Sequence, residues 1–189
     1  MKTMRITKTF LSILALSFVL ISCTQKQQSN STEIMQVDEL LVNAEALVDE
    51  TLVVEGVCTH ICRHGGKKIF LVGSDDTKTI RIEAGSDIGS FSQETLNCIV
   101  EVKGVLKEQR IDEAYLVNWE TELASETAEK HGDGESGCAT EQKAQNEKPV
   151  NTEQERIDNL RKRIEERNKN EGKNYLSFYF VEAAEYKIK

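Results

Sequence analysis

The stretch that decides the fold is Thr51-Leu52-Val53-Val54-Glu55-Gly56-Val57-Cys58-Thr59-His60-Ile61-Cys62. It is rich in β-branched residues, and its one glycine, Gly56, stands where a strand bends or bulges. Gly65-Gly66 then makes a turn. Lys67 to Gly73 reads as a second strand with Ile69 and Leu71 on one face, and Ser74-Asp75-Asp76 turns the chain again. Thr79 to Ala84 sets Ile80 and Ile82 against Arg81 and Glu83 as a third strand, since successive residues of a strand face opposite ways. Phe91 to Leu96 has the length of a short helix crossing one end. Ile99 to Leu106 then alternates Ile99, Glu101 and Lys103 with Val100, Val102 and Gly104 as a fourth strand.

Two segments compete to be the fifth strand. In Ala114 to Trp119, the spacing of Tyr115, Leu116, Trp119 and Leu123 suits a helix, and Asp112-Glu113 suits its first turn. Leu176 to Ile188 is aromatic and β-branched with no helical stripe, so it is expected to close the sheet. Residues 112–172 then form an insertion. Within it, Lys130 to Val150 has almost no aliphatic residues and reads as a disordered loop. Thr152-Glu153-Gln154-Glu155 is a capping box opening a helix to about Asn170, with a thin stripe of Ile157, Leu160 and Ile164. That helix is expected to be solvated, touching the barrel along one edge. N-terminal to the strands, Val37, Leu40, Leu41, Ala44, Leu47 and Val48 fall on one face of an amphipathic helix over 36–48.

Three strands, a short crossing helix and a fourth strand, with Gly56 and Gly104 inside the first and fourth, resemble the OB-fold, a five-stranded Greek-key barrel. The run from Leu52 to Val57, through Gly65 to Leu71 and on to Val102-Lys103-Gly104-Val105-Leu106, looks like the bacterial OB-fold lipoproteins grouped with tRNA-anticodon-binding-like domains. The expected class is therefore mainly β with flanking helices: the barrel, an N-terminal helix and a helical insertion between strands four and five. The resemblance implies nucleic-acid binding, but single-strand binders need stacking platforms in a basic groove. Here the second and third strands offer one aromatic, Phe70, expected to be exposed, and Arg81 and Glu83 cancel.

Charge points the same way. The chain has 189 residues with 24 Lys+Arg against 32 Asp+Glu, a net −8, which disfavours a binder that neutralises phosphates. Lys2, Arg5 and Lys8 precede the apolar run Phe10 to Ile21, the pattern of a signal peptide too short for a stable span. Leu20-Ile21-Ser22-Cys23 resembles the bacterial lipobox, which implies cleavage before Cys23 and lipidation of its thiol. Residues 23–35 then form a polar tether before the domain of 36–111, and 173–189 hold the closing strand. Thr24 in place of aspartate implies an outer-membrane anchor facing the periplasm. The membrane is the expected partner, with a small ligand or envelope protein as the second, and nucleic acid is not expected.

One constellation could carry chemistry: Cys58, His60, Cys62 and His64 at every second position. Alternation puts all four on one strand face, outward if Gly56 bulges and Val57 and Ile61 face the core. Thiolate and imidazole are ligands for zinc, copper and similar metals. Residues two apart in a strand lie about 6.5 to 7 Å apart, so His60, Cys62 and His64 are the most that can share one ion. Cys98, Cys138 or His131 could supply a fourth ligand. Against this stand structural readings: buried cysteines, a disulfide from Cys58 or Cys62 to Cys98, or exposed histidines. Structural roles are the first expectation and a metal, zinc above all, the second; haem ligation is conceivable, without the Cys-x-x-Cys-His of covalent attachment. No nucleophile elbow or phosphate-binding loop is present, so no enzyme is expected. The sequence reads as a non-catalytic envelope lipoprotein that binds a small ligand, glycan or protein through Cys58, His60, Phe70 and Arg81. A metal- or haem-binding protein is the alternative, and an oligonucleotide binder the third.

Overall fold

The computed structural model describes residues 33–63, 65–125 and 137–189; the expected signal peptide, Cys23, His64 and His131 lie outside the described residues. The described chain runs β1 (Ile34–Gln36), α1 (Val37–Leu47), β2 (Thr51–Ile61), β3 (Lys68–Val72) and β4 (Thr79–Ala84). A single 3-10 turn (Gln93–Thr95) leads to β5 (Ile99–Asp112), α2 (Glu113–Ala124), α3 (Ala139–Ala144), α4 (Glu153–Glu171) and β6 (Tyr175–Ile188). Strands β2, β3 and β4 form an antiparallel meander. Strand β4 pairs parallel with β6, β6 pairs antiparallel with β5, and β5 returns antiparallel to β2 and closes the barrel. That order, with one parallel pair, is the OB-fold. The closing strand is the C-terminal segment, and Tyr115 to Trp119 lies in α2.

Residues 34–36, read from composition as the end of a tether, form a strand. Ile34 to Gln36 already pair parallel with Val53 to Glu55, so the chain is fixed to the sheet before the helix begins. Helix α1 then lays Val37, Leu40 and Ala44 on the barrel core, with Val42 on its outer face 80% exposed. Its seat explains Gly56. A Cβ there would stand 2.8 Å from Val37 Cγ2 and 3.0 Å from Val72 O, so a side chain would push the helix off the strand. Inside the barrel, Val54, Ile69, Leu71, Ile80, Ile82, Val100, Val102, Leu106 and Val181 form one apolar cluster. Each such side chain contributes about 1.5–3 kcal/mol by leaving water.

The bulge in β2 falls at Thr59, not Gly56. Cys58 pairs with Leu71 and His60 with Phe70, leaving Thr59 as the extra residue. The extra residue reverses the alternation. Val57 is therefore outward and 40% exposed, while Cys58 is fully buried and Ile61 points into the core. The expectation that Val57 and Ile61 share the inner face, with the Cys/His series outward, is corrected: Cys58 joins the core and His60 stays outside.

The insertion builds a second core. Leu116 from α2 and Ile157, Leu160 and Ile164 from α4 pack on Ile111, Leu176 and Phe178, where β5 and β6 extend beyond the barrel. Helix α4 opens as the capping box requires, Thr152 Oγ1 accepting the Glu155 N–H at 3.2 Å, and it stops at Gly172 in left-handed geometry (φ 70°). It is thus a packed element rather than a solvated helix at the barrel's edge. The polar segment expected to be disordered contains α3 over its described part, with Gln142 buried and accepting the Val150 N–H at 3.0 Å. Helix α3 lies against the outer faces of β3 and β4. Phe70 is in consequence fully buried and Arg81 nearly so, correcting the expected exposed aromatic.

Candidate metal centre

Three ligand types meet where α3 docks on the barrel. His60 is presented outward by β2 just past the bulge, its ring 5.7 Å from that of Phe70. Cys62 follows the last strand residue, and its N–H donates to Lys68 O at 2.9 Å at the base of the β2–β3 turn. Gly65 and Gly66, with φ 72° and 62°, carry the chain through that turn. Cys138 caps the N-terminus of α3, its carbonyl accepting the Gln142 N–H at 3.1 Å. The ligand atoms of His60, Cys62 and Cys138 all lie within 4.8 Å of one another.

Contacts from the barrel and from α4 hold α3, and so Cys138, in place, with Arg163 Nη2 donating to Gln145 O at 3.1 Å just past its end. Arg81 Nη1 donates to Glu141 Oε1 at 2.5 Å, and Lys68 Nζ stands 3.5 Å from the same oxygen. The buried Gln142 amide, already described, ties α3 to the loop that follows it. Arg81 is further engaged by Glu83 at 3.1 Å, by Gln109 at 3.2 Å and by the Phe180 ring 4.8 Å from its guanidinium carbon. The Glu141 carboxyl feels burial, which pushes it up, but the charges of Lys68 and Arg81 outweigh that and hold it below the ordinary glutamate value.

The two sulfurs are not equivalent. The Cys62 thiol hydrogen-bonds to Cys138, and that bond, burial and the nearby negative charge of Cys138 and Glu141 push its titration upward. Cys138 moves the other way: the Cys62 hydrogen bond pulls it down, burial opposes, and the backbone of Glu141 and Thr140 and the charge of His60 add to the fall. Its sulfur stands 3.4 Å from His60 Nε2. A tetrahedral zinc with ordinary Zn–S and Zn–N bonds separates sulfur from nitrogen by about 3.6 Å. The observed spacing is close to that of two ligands already on one ion.

The structure brings His60 and Cys62 together and adds Cys138, which the sequence offered only as one of several fourth ligands. His64 lies outside the described residues, so its place in the site is not described. Cys58 is on the inner side of the strand, its sulfur 3.6 Å from His60 O and 3.9 Å from Thr95 Oγ1, and burial pushes its thiol up. Its N–H donates to Cys98 O at 2.9 Å, yet both cysteines are free thiols, as are Cys62 and Cys138. Beside α3, Arg81, Glu141, Trp119, Arg156, Phe178 and Phe180 help line a cleft of about 980 Å³.

The class that fold and site define is an OB-fold barrel with a cysteine–histidine cluster on its outer face. No family model and no curated protein matches the chain. Among solved structures, one described as an aspartyl-tRNA synthetase from Leishmania major Friedlin aligns with 46% of this chain at 19% identity and a TM-score of 0.29. The aligned part spans 18% of that protein's length. So slight a likeness bears no argument, and the fold assignment rests on the strand order.

Proposed function

We propose that this protein is a non-catalytic OB-fold module of the cell envelope, tethered through Cys23, that binds a thiophilic metal ion at His60, Cys62 and Cys138. The observation that carries the reading is the convergence of one imidazole and two thiols within 4.8 Å. Two sulfurs and one nitrogen suit zinc or copper(I) over magnesium or calcium, which take oxygen ligands. Three protein ligands leave a fourth position for water or for a group on a partner. The envelope address is supported by the lipobox-like sequence at Cys23, and the net −8 weighs against nucleic acid as partner. Metal analysis of reduced protein purified without a histidine tag tests the site. About one zinc per chain is expected, unchanged in Cys98→Ser and lost in Cys138→Ser. Reduced wild type that takes up neither zinc nor copper(I) at micromolar concentration sinks the reading.

A second reading, a small-ligand or glycan site, is favoured by the cleft beside α3. Trp119 and Phe180 are part-exposed rings at its edge, each with an arginine over one face, and Arg81, Glu141 and Arg156 are polar groups at its walls.

A further inference from the structure

The two sulfurs of the proposed centre support more than metal binding. Cys62 and Cys138 lie 76 positions apart in sequence, yet their sulfurs stand within 4.8 Å of each other. Both residues are half-buried, so a small molecule reaches them, whereas Cys58 is sealed in the barrel core. Cys62 lies one residue past the end of β2, its N–H bonded to Lys68 O and its carbonyl to the Gly66 N–H beside two left-handed glycines, and Cys138 caps the N-terminus of a six-residue helix. A disulfide needs, besides sulfurs this close, Cα atoms nearer than about 7 Å, which the linkage experiment below tests directly.

We infer that Cys62 and Cys138 form a reversible disulfide, and that its formation expels the metal ion. The second clause rests on the metal reading; the first does not. The oxidant is a low-molecular-weight disulfide. One protein thiolate attacks it, breaking its S–S bond and releasing one small thiol, and a mixed disulfide forms. The second protein thiolate then attacks the protein sulfur of that mixed disulfide and releases the second small thiol. Two protein sulfurs lose two electrons in all, and the small disulfide gains them with two protons from solvent. The ion leaves as the aquated dication, because the protein sulfurs have given up two electrons and hold only the shared S–S pair between them in place of two thiolate donors, and His60 alone cannot hold it. Reduction restores both thiolates and the site. The protein so built takes up metal in reducing surroundings and gives it up in oxidising ones.

The test uses the whole chain in glutathione buffers of graded ratio. Three quantities are read together: intact mass, disulfide-linked peptides after digestion at low pH, and zinc released to a chromogenic chelator. The expected result is loss of two hydrogen masses, a peptide linking Cys62 to Cys138, and zinc release following the same curve. In Cys138→Ser no such link forms, while Cys98→Ser behaves as wild type. A linkage through Cys58 or Cys98 instead, or both Cys62 and Cys138 still alkylatable in fully oxidised buffer, overturns the inference even if reduced protein binds zinc. A Cys62–Cys138 link in protein that binds no metal when reduced upholds the disulfide and overturns its coupling to metal, along with the metal reading.

Discussion

Replacing Glu141 by glutamine keeps the side chain's size and removes the charge that pins α3 to the barrel. Breaking a buried ion pair by deleting one partner typically costs about 3–5 kcal/mol, because the other charge is left uncompensated. Here Arg81, 7% exposed, retains Glu83 at 3.1 Å, Gln109 at 3.2 Å and the Phe180 ring. The loss should therefore lie nearer that of one charged hydrogen bond, about 1–3 kcal/mol. Urea unfolding at pH 7 reads it directly. Part of the loss falls on the docking of α3, which carries Cys138, so zinc affinity should fall as the docked state loses population, by at most about tenfold for each 1.4 kcal/mol of docking lost. The pH dependence fixes the cause. A carboxyl held below its unfolded value stabilises the fold fully above that value and loses the effect as pH falls through the folded one. The gap between wild type and Glu141→Gln should thus be complete at neutral pH and shrink as pH falls below the ordinary glutamate range. A variant that matches wild type in both unfolding midpoint and zinc affinity at pH 7 would refute the view that this pair positions the site.

Two further outcomes are expected. Phe70→Ala removes a fully buried ring beneath His60 and should cost about 3–5 kcal/mol in urea unfolding, whereas Val42→Ala on the exposed face of α1 should stay within about 0.5 kcal/mol; equal effects would contradict the burial described. Trp119 is the chain's sole tryptophan and lines the cleft, so its fluorescence should shift on titration with a ligand that stacks there. A flat response across neutral and acidic oligosaccharides would remove the cleft reading for glycans.

The barrel was legible because its signals are redundant. Ile80 and Ile82 against Arg81 and Glu83, or Thr152 facing Glu155, each match one local rule, and the rules agree with the closing strand. The bulge at Thr59 was not legible. Val57, Cys58 and Ile61 are all apolar enough for the core, so the pattern does not say where the extra residue falls, and one residue of phase decides which sulfur faces outward. Helix α3 was hidden for a different reason: it is fixed by Glu141 and Gln142, and buried polar contacts leave no aliphatic trace in the sequence. The burial of Phe70 is hidden with it, since nothing in β3 reveals that a polar segment about 70 residues later covers its outer face.

The strand order also sets when the molecule can exist at all. Strand β4 has no parallel neighbour until β6 is available, and Arg81 meets Phe180 across 99 intervening steps of chain. Contacts of such long sequence separation form slowly, because loop-closure entropy is lost before any pairing compensates it. A chain emerging from its N-terminus therefore has a meander of three strands but no closed barrel, and α3 has no complete surface to dock on. Assembly of the thiol cluster is accordingly a late event, and until then Cys62 and Cys138 are separate cysteines on an open chain.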